Sequence, residues 1–133
     1  MPLILWSDKY SVRINSIDTQ HKKLIEIINK LHDSMSKGTS KDILNPILQE
    51  LIKYTIEHFA FEEALLKSHN YISLPTHKME HDRFTKKVQG FQTDFEAGRA
   101  SISIDIITFL KDWLLNHILK TDMNYSEFLT KKV

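Results

Sequence analysis

The sequence predicts an all-α fold: an up-down-up-down antiparallel four-helix bundle with an N-terminal arm and a short C-terminal helical segment. Three observations predict it. Apolar residues recur at spacings of three and four along four long segments, which is the period of one helix face. Only three Gly and three Pro punctuate the 133 residues. The breaks between segments are short, so consecutive helices must return antiparallel to one another. With 41% hydrophobic and 26% charged residues the chain belongs with folded proteins and not with disordered ones. At this length a single domain over residues 1–133 is expected.

The first helix runs from about Ile17 to Met35, with Asn15, Ser16 or Asp18 available as N-cap and "SKGTS" closing it. Its stripe is Ile17, Leu24, Ile28, Leu31 and Met35, with His21 inside it. The second begins either after a Ser40 cap or after an Asn45 cap with Pro46 at its first position. It ends near Ser68, where Asn70 suits a left-handed turn. Its stripe is Leu44, Leu48, Leu51, Thr55, His58, Glu62 and Leu65. The third, opened by Pro75 and closed before Gly98, carries His77, His81, Phe84, Val88, Phe91 and Phe95 at the spacing of a buried seam. The fourth starts near Ser101 or Ser103, carries Ile106, Leu110, Trp113 or Leu114, and His117, and ends near Asp122. A last stretch, "NYSEFLTKK", forms one or two turns that return Tyr125, Phe128 and Leu129 to the bundle.

Composition removes several function classes. Lys plus Arg number 18 against 17 Asp plus Glu, so no basic surface argues for nucleic acid or an anionic membrane. There is no cysteine, which excludes disulfides, thiolate zinc sites, iron–sulfur clusters and c-type haem attachment. Any metal must be held through N and O. The N-terminal "MPLILWSDKY" lacks a basic n-region and a cleavage site, and no apolar run approaches the roughly 20 residues of a membrane span. A cytoplasmic location is the expectation.

The polar residues on the apolar stripes are His21, His58, Glu62, His77, His81 and His117, with Asp122 just past the last turn. A single buried His or Glu is ordinarily a satisfied core polar group. Groups from all four helices, converging on one interior, require either a large mutual hydrogen-bond network or a cation that takes their lone pairs. Neighbours at i and i+4 share a helix face, so His58 with Glu62, and His77 with His81, can reach one centre. His117 and Asp122 are five apart, off a common α-helical face, and predict that the fourth helix loosens into a wide turn or ends there. Seven N and O ligands are too many for one tetrahedral zinc and suit a first-row metal such as iron, present as two ions. Five imidazoles then divide as three and two, with Glu62 and Asp122 able to bridge, leaving one ion an open position for a small ligand. Ferritin-like di-iron oxidases use four or more carboxylates. Two carboxylates favour reversible dioxygen binding over cleavage.

Residues one turn from these groups are mostly apolar: Leu24, Phe59, Trp113, Leu114 and Ile118. Such a lining excludes water and protons. Tyr54, four before His58, and Tyr125, three after Asp122, are candidate hydrogen-bond partners of the ligands, although ordinary amphipathic packing accounts for both.

The pattern resembles the hemerythrin family, and in particular its single-domain bacterial members. The resemblance is carried by "LILWSDKYSV", "IDTQHKKLI" with His21, "YTIEHFAFEE" with His58 and Glu62, "HKMEHDRF" with His77 and His81, and "WLLNHILKTDMNY" with His117 and Asp122. It covers nearly the whole chain. It implies a non-haem, oxo- or hydroxo-bridged di-iron centre that binds dioxygen reversibly as hydroperoxide. Matched to the family, His77, His81 and His117 hold one iron, His21 and His58 the other, and Glu62 and Asp122 bridge. Dioxygen is then expected at the iron of His21 and His58, with Leu24, Phe59, Trp113, Leu114 and Ile118 as its pocket. Leu66 stands where the family often has Met. No signalling domain follows the bundle, which favours a carrier, store or free-standing sensor.

The expectation is therefore an oxygen-binding protein and not an enzyme: a monomer whose partners are dioxygen and a transient protein recipient of it. A di-iron oxidase, peroxidase or nitric-oxide-handling site is the alternative. "HKMEH" also fits the H-x-x-E-H signature of inverted zinc peptidases, with Glu80 as base. Against this reading, Glu80 lies off the His77 and His81 face and three further histidines stay unexplained.

Overall fold

The apolar stripes fold as helices that return on one another. The computed structural model describes residues 3–37, 41–98 and 104–130. A 3-10 turn at Asp8–Tyr10 precedes α1 (Asn15–Lys37), α2 (Lys41–Ser68), α3 (Leu74–Glu96) and α4 (Ile104–Asn116). A π-helical turn at His117–Asp122 then leads into α5 (Met123–Thr130), and no strand occurs among the described residues. Contacts between helices give the antiparallel order. Gln20 meets His58 while Lys30 meets Glu50. Asn45 meets Glu96 while Phe59 meets Phe84. His77 meets His117 while Phe91 meets Phe109. In each case the numbers rise along one helix and fall along the next.

The predicted stripes are the core. Ile17, Leu24, Ile28 and Leu31 of α1, Leu44, Leu48 and Leu51 of α2, Phe84, Val88 and Phe95 of α3, and Leu110 of α4 are all buried. Each contributes about 1.5–3 kcal/mol from removal of its side chain from water. Because 3.6 residues make a turn, the buried face drifts, and at the edges it takes a neighbour of the expected residue. Leu66 is buried where Leu65 was expected, Ile107 where Ile106 was, and Leu114 is covered more fully than Trp113. Met35 and Phe91 are half-buried.

Helix ends differ from expectation in two places. The carbonyl of Ile14 accepts the first helical bond, from Asp18 N–H, at 2.9 Å, so the cap position falls at Ile14 and not at Asn15, Ser16 or Asp18. The Asp18 carboxylate is instead committed to the arm, accepting from Val12 N–H at 2.8 Å and from the Ser11 hydroxyl. Of the two starts for α2 the earlier is observed, which leaves Pro46 inside the helix at the expense of one i→i−4 bond. The Ser40 cap, the end of "SKGTS", and Ser101 and Ser103 lie outside the described residues. Asn70 (φ 55°) and Gly98 (φ 74°) supply the left-handed turns after α2 and α3.

Both the arm and the last helix are tied to the bundle. Asn29 on α1 clasps the arm twice, accepting from Ile4 N–H and donating to Ile4 C=O, each at 2.8 Å. Tyr125 and Leu129 of α5 are buried with Val12, Ile17 and Leu66, and Phe128 packs on them. The fourth helix does loosen: in the π turn Met123 N–H bonds back to Ile118 C=O, five residues away, which brings positions five apart toward one face. No helix among the described residues is long and apolar enough to cross a membrane.

Candidate metal centre

The seven polar residues of the stripes meet in the interior. His21, Glu62 and Asp122 have no exposed surface, and His58, His77, His81 and His117 are between 1% and 4% exposed. They form two groups that share Glu62. In one, ligand atoms of Glu62, His77, His81, His117 and Asp122 all lie within 4.8 Å of one another; the other contains His21, His58 and Glu62.

Each carboxylate spans the two groups with its two oxygens. Glu62 Oε1 lies 2.8 Å from His77 Nε2 and 3.0 Å from His81 Nε2, while Oε2 lies 3.5 Å from His58 Nε2 and 3.8 Å from His21 Nε2. Asp122 Oδ1 lies 3.1 Å from His117 Nε2 and 3.2 Å from His77 Nε2, and Oδ2 lies 3.2 Å from His21 Nε2. The π turn makes this possible, because His117 and Asp122 both reach the interior from one continuous helical stretch.

The protein's own hydrogen bonds do not satisfy the cluster. Both nitrogens of His21, Nδ1 of His77 and both oxygens of Asp122 are buried without a hydrogen-bond partner; the short His21–Asp122 and His117–Asp122 separations lack hydrogen-bond geometry. Each such orphan costs about 1–3 kcal/mol or more. The Nε2 atoms of His81 and His117 are 3.1 Å apart, so that neutral rings protonated on Nδ1 bring two lone pairs face to face. An all-N/O donor set with inward lone pairs and orphaned acceptors fits divalent first-row cations.

A second ring of residues turns three imidazoles the right way round. Gln20 Oε1 accepts from His58 Nδ1 at 2.6 Å and Glu63 Oε2 from His81 Nδ1 at 2.9 Å. Glu80 Oε1 lies 3.4 Å from His117 Nδ1 and is itself held by the Thr121 hydroxyl at 3.0 Å. A proton kept on Nδ1 leaves Nε2 a lone pair facing inward. Tyr125 donates to Glu62 Oε2 at 2.7 Å, so packing alone does not account for it. Tyr54 is half-buried against the core, and its expected partner His58 bonds Gln20 instead. Glu80 faces Thr121 and the outer nitrogen of His117, away from the inward atoms of His77 and His81. Gln20, Glu63 and Thr121 are not singled out by the sequence because they lie beside the stripes, though each directly adjoins one of the seven; Glu80, considered from the sequence only as a peptidase base, stands instead beside His117.

Apolar residues seal one side. Phe59 stacks on His81 with ring centroids 3.7 Å apart, and Trp113 stacks on His117 at 4.5 Å. Phe59, Trp113, Leu24 and Leu114, with Ile28, Leu51, Thr55 and Phe84, line a cavity of about 10 Å³, the lower limit for one water molecule. Ile118, expected among them, is fully buried in the adjoining core but is not part of that wall.

Burial drives His58 down to about 4. His21 and His77 rise to about 9: burial opposes their charge, but Asp122 and Glu62 beside them outweigh it. Glu62 lies well below the usual carboxylate range, since His21, His77 and His81 overcome its burial. Asp122 is likewise depressed by His117 and His21 against burial and the charge of Glu62. Burial and the two carboxylates push Tyr125 far up, so it remains a donor. Without a cation the cluster thus balances two anions with two imidazolium ions.

Residues 12–129 match the family model described as hemerythrin HHE cation binding domain. The chain is 35% identical over 127 residues to a bacteriohemerythrin of Stenotrophomonas maltophilia, covering 96% of this chain and 82% of that one. It is 34% identical over 131 residues to a bacteriohemerythrin of Methylococcus capsulatus, covering 98% and 99%. Among solved structures it is similar to a wild-type hemerythrin, with a TM-score of 0.90 and 33% identity over 94% of this chain and 96% of that one.

Proposed function

The chain belongs to the hemerythrin family, and from that premise we propose that it binds dioxygen reversibly at two non-haem iron ions, as a carrier, store or sensor and not as an enzyme. His77, His81 and His117 are the ligands of one ion and His21 and His58 of the other, with Glu62 and Asp122 shared between them. The observation that carries this is the division of each carboxylate's oxygens between the three-histidine and two-histidine groups. When bound, the two irons supply the electrons that make dioxygen binding favourable and reversible.

The chain's own residues do the rest. Gln20, Glu63 and Glu80 hold protons on the outer nitrogens of His58, His81 and His117 and fix the ring orientations. Tyr125 fixes the position of Glu62. Leu24, Phe59, Trp113 and Leu114 line the small apolar cavity beside the cluster, which in this reading marks the dioxygen pocket, and Ile118 is buried in the adjoining core. A dry apolar approach keeps out the water and protons that end reversible binding. Two carboxylates supply less negative charge than the four or more of the ferritin-like oxidases, which favours binding over oxidation.

Metal analysis and visible spectroscopy test the proposal together. About two irons per chain are expected, with a visible charge-transfer band that appears in air and disappears when dioxygen is removed. A preparation dominated by one zinc, or one that steadily consumes reductant in air, would overturn it.

A further inference from the structure

We propose that Glu80 and Thr121 form a transit site through which a divalent first-row cation enters the buried cluster from solvent. The inference rests on the cluster being a metal centre, as proposed above, and concerns a different step, filling. The apolar cavity beside Leu24 and Phe59 gives a hydrated cation no ligand. Two surface clefts, of about 180 and 170 Å³, meet at Glu80 and Thr121. His117 lines the first and His77 the second.

One imidazole separates each cleft from the cluster. His117 has Nδ1 3.4 Å from Glu80 Oε1 and Nε2 3.1 Å from Asp122 Oδ1. His77 has Nε2 2.8 Å from Glu62 Oε1, while its Nδ1 is buried with no partner. His117 therefore already spans from Glu80 to a cluster carboxylate, and His77 stands between Glu62 and the second cleft, which Glu80 also lines. Glu80 is suited to receive the ion: its side chain is 37% exposed, and Thr121 Oγ1 donates to both its oxygens, at 3.0 and 3.2 Å. Lys120 edges the first cleft, but neither Lys nor Arg lines the second. Ser73, Thr76 and Asn124 there offer further oxygens, so the second cleft is the route for a cation. Another opening onto the three-histidine group, between α2 and α3, is walled by Ile56, Phe59 and Ala60 with Asp82 and Thr85; there the carboxylate that touches a cluster imidazole, Glu63, is already engaged by His81.

The test is the rate of filling of metal-free protein. Rapid mixing with Co²⁺ followed by its visible ligand-field absorption gives the rate, and metal analysis of the equilibrated sample gives the stoichiometry. Glu80→Gln, whose amide oxygen can still accept from His117 Nδ1, should slow filling about tenfold or more, the low end of what charged clefts give, with the extent of filling read separately at saturating Co²⁺. Thr121→Val, which frees the carboxylate without removing its charge, should slow it less. Glu63→Gln tests the other opening. Filling of Glu80→Gln at the wild-type rate, or slowing by Glu63→Gln in place of Glu80→Gln, overturns the transit site. Failure of the unaltered protein to take up two ions overturns the metal centre instead, so the two failures are distinguishable. Should Glu80→Gln not fold, Thr121→Val decides alone: no slowing overturns the proposal.

Discussion

Tyr125→Phe isolates one bond of the cluster. Its hydroxyl, on a fully buried side chain, donates to Glu62 Oε2 at 2.7 Å. The next neighbours of that oxygen, His58 and His21, stand 3.5 and 3.8 Å away. Phe keeps the ring contacts to Tyr71 and His77, so packing is nearly conserved and the change measured is the loss of one charge-assisted bond. Such a bond contributes about 1.5–3 kcal/mol. For a chain of this size that corresponds to a fall in Tm of roughly 5–10 °C. The assay is urea denaturation of chelator-treated protein at pH 7 followed by circular dichroism, with the midpoint expected to fall at unchanged m-value. The loss should shrink in iron-loaded protein, where Glu62 gains a second partner for its charge. A change in the metal-free protein below about 0.5 kcal/mol, the scatter of ordinary surface substitutions, would refute the reasoning.

Four more outcomes are expected. His77→Ala should lower bound iron below two per chain and destabilise the fold, because Glu62 and Asp122 lose an imidazole that lies within 3.2 Å of each; unchanged iron by metal analysis would count against the ligand assignment. In metal-free protein His21 and His77 titrate at about 9 when folded and near 6.5 when unfolded, so their contribution is complete below pH 6.5 and lost as pH rises toward 9. His58, at about 4 when folded, acts oppositely and weakens the fold between pH 6.5 and 4. The urea midpoint should therefore peak near pH 6.5, and a flat profile would contradict the shifts. Loading at pH 7 should release about two protons per chain, measured with an indicator in weak buffer. Phe59→Ala removes the ring stacked on His81 and should cost about 3–5 kcal/mol, with faster loss of the dioxygen-dependent band as water enters; a band that decays at the wild-type rate would show that Phe59 does not guard the centre.

Periodicity carried much of this structure. The stripes from Ile17 to Phe95 predict the helices because each buried face is made of residues that no other spacing would bring together. The polar members of those stripes stand out for the same reason: His77 and His81 occupy positions that packing alone would give to Leu or Phe. The spacing of His117 and Asp122 even exposes the π turn, since five residues do not fit an α-helical face. What escaped detection depends on contacts between helices. Gln20 reaches His58, and Glu63 reaches His81, across an interface whose rotation is set by packing of the whole bundle. Asn29 looks like any exposed helix polar residue until the arm at Ile4 lies against it. The start of α2 was undecidable because Pro46 suits either a first turn or a tolerated interior position, and only the surrounding packing selects between them.

The π turn at His117–Asp122 also sets the rotational phase of everything after it. One residue of an α-helix corresponds to about 100° of rotation, so rewinding the turn as α-helix at unchanged length would carry Asp122 away from the face of His117. Tyr125 and Leu129 would rotate with it and leave the groove they fill between the arm and the end of α2. The wide turn thus works as a phase corrector: it absorbs one residue more than α-helical winding allows, and a deletion there, such as that of exposed Lys120, would leave His117 and Asp122 four apart and still on one face.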